Sequence, residues 1–182
     1  MLNQIAALHG TGVAASTNSY ESIATVSVGS GGSSSISFSS IPSTYKHLQI
    51  RAFHIATTSG DYDFSFQFNS DTSANYTKHQ IGGNGSSAFA TGTANTSTIP
   101  GGFMQYAQVG GTIIDVLEYA NTNIYKTARV LTGSDTNGNG AVGLRSGQWR
   151  STSAISSIVF TPTSGATGFA QYSQFALYGI RG

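Results

Sequence analysis

Residues 61 to 69 alternate without interruption, with Tyr62, Phe64, Phe66 and Phe68 on one side and Asp61, Asp63, Ser65, Gln67 and Asn69 on the other. An extended chain turns successive side chains to opposite faces, so this pattern predicts a half-buried strand that directs four aromatic rings into a core. Other period-two runs occur at Ile23 to Val28, from Ile36 through Phe38 to Ile41, at Ile113 to Tyr119, Ile124 to Leu131, Ala154 to Phe160, and Gln174 to Ile180. In Leu48 to Ile55 the apolar residues start at even positions and end with Phe53 and Ile55 at odd ones, which predicts a bulge near Ala52.

The intervening stretches 29–35, 82–98, 110–111, 133–140 and 163–168 are rich in Gly, Ser, Thr and Asn and read as loops. Strands at this spacing, with no 3.6-residue amphipathic period after Leu8, predict an all-β chain: a two-sheet antiparallel sandwich, jelly-roll-like, with a short N-terminal arm. An immunoglobulin-type sandwich is the alternative, although the Cys pair that would mark it is absent. Residues 1 to 20 do not alternate and form the arm, with one helical turn over Asn3 to Leu8; residues 21 to 182 form the sandwich. Leu2, Ile5 and Leu8, three apart, would make an apolar stripe too small to be stable alone, which suits an attachment or oligomer contact.

Composition sharpens this picture. The 182 residues are 38% hydrophobic and 11% aromatic but only 8% charged, against about 25% charged in an ordinary soluble domain. A chain with 9 Tyr, 10 Phe and 1 Trp to bury is not disordered. A surface of hydroxyls, amides and glycines can pack against identical copies, or face sugars, without desolvating ions. A homo-oligomer is therefore expected, with a trimer as the leading form. The formal charge of +1 argues against nucleic acid and membrane surfaces as partners. With no Cys there is no disulfide framework and no thiolate metal site, and folding in a reducing cytoplasm is allowed. Residues 1–8 lack a basic, then long apolar, leader, so neither a signal peptide nor a membrane insertion is expected.

Chemistry-bearing motifs are sparse. Neither G-x-S-x-G nor a phosphate-binding G-x-x-x-x-G-K-[ST] occurs, and His9, His47, His54 and His79 lack metal-site spacing. Asp135, Asn137 and Asn139 followed by Gly140 match the first half of a calcium loop, but position twelve is Ser146 rather than a carboxylate; an Asn-Gly hairpin turn explains the same letters. No cofactor is expected. Asp61 with Asp63, or Asp115 with Glu118, are the carboxylate pairs that a glycosidase would need, with Asp71 as a further acid. Asp115 alternates with apolar Ile113 and Leu117, which a cross-strand partner such as Lys126 or Arg129 would explain. Arg145, Trp149 and Arg150 form the one cationic aromatic cluster, a candidate carbohydrate or receptor contact, with core or interface packing as the weightier reading.

The string from Ile36 to Arg51, ISFSSIPSTYKHLQIR, resembles a β-sandwich module of virion surface proteins of tailed bacteriophages. Phe68 to Thr72 followed by Asn75-Tyr76, Glu118 to Thr122 leading to Lys126-Thr127, Trp149-Arg150 before Ala154 to Ile158, and Phe175 to Ile180 share the likeness, which covers about residues 20 to 182. None of these strings is a catalytic signature. The resemblance implies a non-enzymatic structural protein on the virion exterior, in a tail fibre, a tail tip or a capsid decoration. Its partners would be other copies of itself and other capsid or tail proteins, with host surface glycan as a further contact. Synthesis and assembly would take place in the bacterial host cytoplasm. The alternatives are a virion-borne glycan depolymerase and a free sugar-binding lectin.

Overall fold

A computed structural model describes residues 19–163 and 165–182, so Leu2, Ile5, Leu8, His9 and the expected helical turn lie outside the described residues. The strands are β1 (Tyr20–Ser27), β2 (Ile36–Phe38), β3 (His47–His54), β4 (Asp61–Phe68), β5 (Tyr76–Gly83), β6 (Ala88–Thr96), β7 (Ile99–Gln105), β8 (Gly110–Leu117), β9 (Lys126–Thr136), β10 (Asn139–Trp149), β11 (Ile158–Pro162) and β12 (Gln174–Ile180). Tyr20 pairs with Ile180 as the first residue of β1, so the sandwich begins there rather than at residue 21.

Two antiparallel sheets form, one of eight strands in the order β1-β12-β3-β8-β9-β10-β5-β6 and one of four in the order β2-β11-β4-β7. Without β9 and β10, the run β3-β8-β5-β6 faces β2-β11-β4-β7 with the chain crossing between sheets at each step from β2 to β5. That is the jelly-roll order. The β9–β10 hairpin is inserted between β8 and β5, and β12 with β1 extends the sheet beyond β3.

The core lies between the sheets. Phe64, Phe66 and Phe68 are fully buried, as their alternation requires, while Tyr62 at the strand's start is half-buried. Phe64 packs edge-on against Phe169 and Phe175, and Phe160 meets Phe175 at 5.0 Å between ring centres. Tilted and T-shaped contacts of this kind set the positive ring edge against the negative face.

Several expectations fail, each for a physical reason. There is no bulge at Ala52: the ladders of β3 with β8 and with β12 run unbroken, so His54 points into the core and Phe53 out. The stretch 82–98 is not a loop but the end of β5, a four-residue turn and β6. Because β6 is an edge strand with little buried surface on either face, its Ala and Thr carry no apolar alternation. Gly110 and Gly111 open β8, and 133–140 continues β9 into β10 with only Asn137-Gly138 outside the ladder. Those two residues have φ of 51° and 96°, the conformation of a two-residue hairpin turn whose twist matches its flanking strands.

Candidate functional site

The segments around Asn69 to Tyr76, Trp149 to Ser157, Pro42 to His47 and Glu118-Tyr119 meet in two hydrogen-bonded corners. In the first, Asp71 accepts from the Trp149 indole at 2.7 Å, from Asn75 Nδ2 at 3.0 Å and from the Ser73 amide at 2.9 Å. These donors, the indole first, hold its carboxyl down at about 2. Asn69, at φ 50°, caps the amides of Ser156 and Ser157 through Oδ1 and donates to the Ala154 carbonyl. The Tyr76 hydroxyl bonds both the amide and the carbonyl of Phe68, and burial pushes it up to about 12. In the second corner the Tyr119 hydroxyl donates to the Pro42 carbonyl and accepts from the Tyr45 amide, His47 Nδ1 accepts the Glu118 amide at 3.0 Å, and Lys46 pairs with Glu118 at 2.7 Å. That lysine holds the Glu118 carboxyl below its ordinary range.

This geometry corrects the carbohydrate platform. The Trp149 ring is only 3% exposed, stacked on Tyr76 and packed on Phe68, so it offers no face to a sugar. Arg145, 1% exposed, reaches between the sheets to Asp63 at 2.9 Å with its guanidinium 4.1 Å from the Phe103 ring centre. The ring face stands in for acceptors that its Nε and Nη1 do not find. Arg150 donates to the Ala74 carbonyl and to Asn95, tying β6 to the loop before β5. The three residues thus serve packing and loop closure, because β10 alternates Arg145 and Trp149 inward.

The candidate acids are likewise committed. Asp61 and Asp63 do line one cleft of about 380 Å³ together with Phe89, Phe103 and Ser134. Asp61, however, accepts from Gln105 Nε2, and Asp63 holds Arg145. Asp115 lies opposite Arg129 in the ladder but accepts instead from Gln49 Nε2 at 2.7 Å. Lys126 turns inward, its ammonium donating to the carbonyls of Ile124 and Thr152, and burial lowers its pKa. Asp135, Asn137 and Asn139 sit on a hairpin whose ladder pairs Thr136 with Asn139, so they cannot wrap an ion as a calcium loop does. Among the described residues no group of three His, Asp or Glu side chains is placed to hold a metal. His47 and His54 face opposite sides of β3; His54 is buried, its Nε2 2.9 Å from Thr112 Oγ1.

Among the described residues, one broad exposed face is apolar, and no motif in the sequence marks it. On the outward face of the eight-stranded sheet, Ile113, Leu131, Leu144 and Ile81 stand directly beside one another across β8, β9, β10 and β5. One pleat away, Phe53, Gly111, Gly133 and Val142 form the next row, in which the two glycines leave a trough between the phenyl and isopropyl groups. On the other side runs a polar row of Gln49, Asp115, Arg129, Ser146 and His79. The six large apolar residues are 39% to 59% exposed. A signal for this face existed in the sequence: Ile113-Ile114 and Val130-Leu131 place apolar side chains on both faces of their strands, a pattern of sheets covered on both sides.

No protein-family model matches the chain, no curated protein matches it, and no solved structure matches its fold.

Proposed function

We propose that this chain is a non-enzymatic structural protein of the exterior of a tailed bacteriophage virion, a small tail-fibre or tail-tip appendage or a capsid decoration protein. It acts as a homo-oligomer, a trimer in the leading form, and joins the capsid or tail through residues 1 to 20, with Leu2, Ile5 and Leu8 as the apolar contacts. The observation that carries this reading is the convergence of the resembling strings: Asn69, Asp71, Asn75, Tyr76, Trp149 and Ala154 form one corner, and Pro42, Tyr45, His47, Glu118 and Tyr119 the other. Residues that brace a fold in this way serve its architecture rather than a reaction. Further support comes from the candidate acids Asp61, Asp63, Asp71, Asp115 and Glu118, each of which is bound to a structural partner, and from an outer face rich in aliphatic side chains.

The test is fractionation of purified phage particles. The chain should travel with intact particles and be reached on them by an antibody against the folded sandwich; its absence from particles would overturn the proposal. For the glycan-depolymerase alternative, incubation with host surface polysaccharide should release no new reducing ends, and sustained release would favour the enzyme. A free lectin would bind polysaccharide while remaining off the particle.

A further inference from the structure

We infer that the outward face of the eight-stranded sheet, centred on Ile113, Leu131, Leu144 and Ile81, is the surface through which copies of this chain pack against one another. The inference rests on the homo-oligomer part of the proposed function and is independent of the virion location.

Three observations identify a protein surface as the occupant. The exposed residues are aliphatic and stand in register across four hydrogen-bonded strands, so they form one continuous patch rather than scattered side chains. With Phe53 and Val142 the patch holds six large apolar residues, each 39% to 59% exposed, a contiguous apolar surface of the kind that marks a protein-protein contact. Sugars require hydrogen-bonding groups around aromatic faces, and the four aliphatic residues at the centre of the patch supply neither, Phe53 standing at its edge. The four-stranded sheet covers only the opposite face of the large sheet, and β8, β9 and β10 carry apolar side chains on both sides.

A second copy fits better than an unlike partner because the patch itself carries no charge. Its margins hold Arg51 on one side and Asp115 with Arg129 on the other, so a copy brought against it meets no block of like charge. The inserted β9–β10 hairpin supplies Leu131, Val142 and Leu144, half of the large apolar residues, and Gly111 and Gly133 open a trough between Phe53 and Val142 able to take a side chain from the facing copy.

Light scattering on the full chain at micromolar concentration should give a multiple of 18.8 kDa. The double variant L131D/L144D, at two exposed positions, should keep the β-sheet circular dichroism and a cooperative melt while its mass falls to that of one chain. As a second measurement that needs no destabilising change, single cysteines can be placed in this Cys-free chain at Leu144 or, as a control, at the exposed loop residue Ser43. The maleimide reaction at L144C should be at least tenfold slower than at S43C, and should accelerate on dilution to monomer. A monomeric wild type, an oligomer that survives L131D/L144D, or equal reactivity at both cysteines would each overturn the inference. So would protection of L144C in a monomer that disappears when residues 1–18 are removed, since the arm would then be the occupant. Particle fractionation is unaffected by any of these results, so the two readings fail separately.

Discussion

His54 shows how a single buried side chain sets a pH response. Its ring lies between Phe64 and Phe175, with Nε2 against Thr112 Oγ1, which in turn meets Thr132 Oγ1 at 2.8 Å, and Nδ1 has no partner. Burial disfavours the charged imidazolium and lowers its pKa from 6.5 to about 4. Above pH 6.5 the folded and unfolded chains are both neutral at this site. Below it the unfolded chain takes up a proton that the folded chain refuses, so stability falls as pH drops from 6.5 towards 4. At 1.36 kcal/mol per unit the full effect is about 3 kcal/mol. Urea unfolding at pH 7.5 and 4.5 should show wild type losing about 2 to 3 kcal/mol more than His54→Gln, which does not titrate. Parallel losses in the two proteins would refute the assignment. Asp71 acts in a separate window, contributing stability above pH 3.8 that disappears as pH falls through about 2.

At the level of the element, β7 lies so close to the large sheet that glycine is required in it. A Cβ on Gly102 would stand 2.2 Å from Thr112 Oγ1 and 2.7 Å from both Thr132 Oγ1 and a Phe64 ring carbon. Thr132 Oγ1 also accepts the Phe103 amide at 3.1 Å, which fixes the strand there. Gly111, in β8 but on the outward face, has open space around its missing Cβ. Gly102→Ala should therefore destabilise by about 2 kcal/mol or more through overpacking, while Gly111→Ala should stay within about 0.5 kcal/mol of wild type. Chemical denaturation of the two variants checks the contrast, and equal effects would mean that β7 does not sit as closely as described. The same reasoning explains why 110–111 and 133–140 look like loops in sequence. Gly110 makes way for the His54 ring and the Phe103 carbonyl, and Gly140, at φ 130°, for the Ser134 carbonyl, demands that no local pattern records.

For the whole molecule, the buried apolar cluster runs from Val28 to Leu177 and engages both sheets. A chain beginning at Ser19 is expected to fold in one cooperative transition with little change in melting temperature, while failing to join the virion or its cognate subunit. Differential scanning calorimetry and a particle-incorporation assay measure the two halves of that expectation. Loss of folding, or normal incorporation, would remove the attachment role of residues 1 to 20. The eight-stranded sheet also differs from a minimal jelly roll by the β9–β10 hairpin, which brings Arg145 and Trp149 into the core and Leu131, Val142 and Leu144 to the outer face. One insertion thus contributes to internal stability on one side and to an external apolar surface on the other.

The sequence by itself determined the class of fold, because period-two alternation is a local property. Phe64, Phe66 and Phe68 had to share a buried face, and Asn137-Gly138 favoured a tight hairpin turn over a calcium loop. For Arg145 and Trp149 it left a carbohydrate or receptor contact open beside core or interface packing, because a Trp near Arg suits a sugar face as well as a core. Only the tertiary structure decided the rest. Whether Asp71 binds Trp149, whether Asp115 meets Arg129 or Gln49, and whether Ile81 stands beside Leu144 depend on which strands become neighbours. In this fold the order β8-β9-β10-β5 is set by long-range pairing between segments up to some seventy residues apart in the chain. Local periodicity fixes the face on which a side chain lies; strand order across the sheet fixes what it touches, and on that the outer aliphatic row depends.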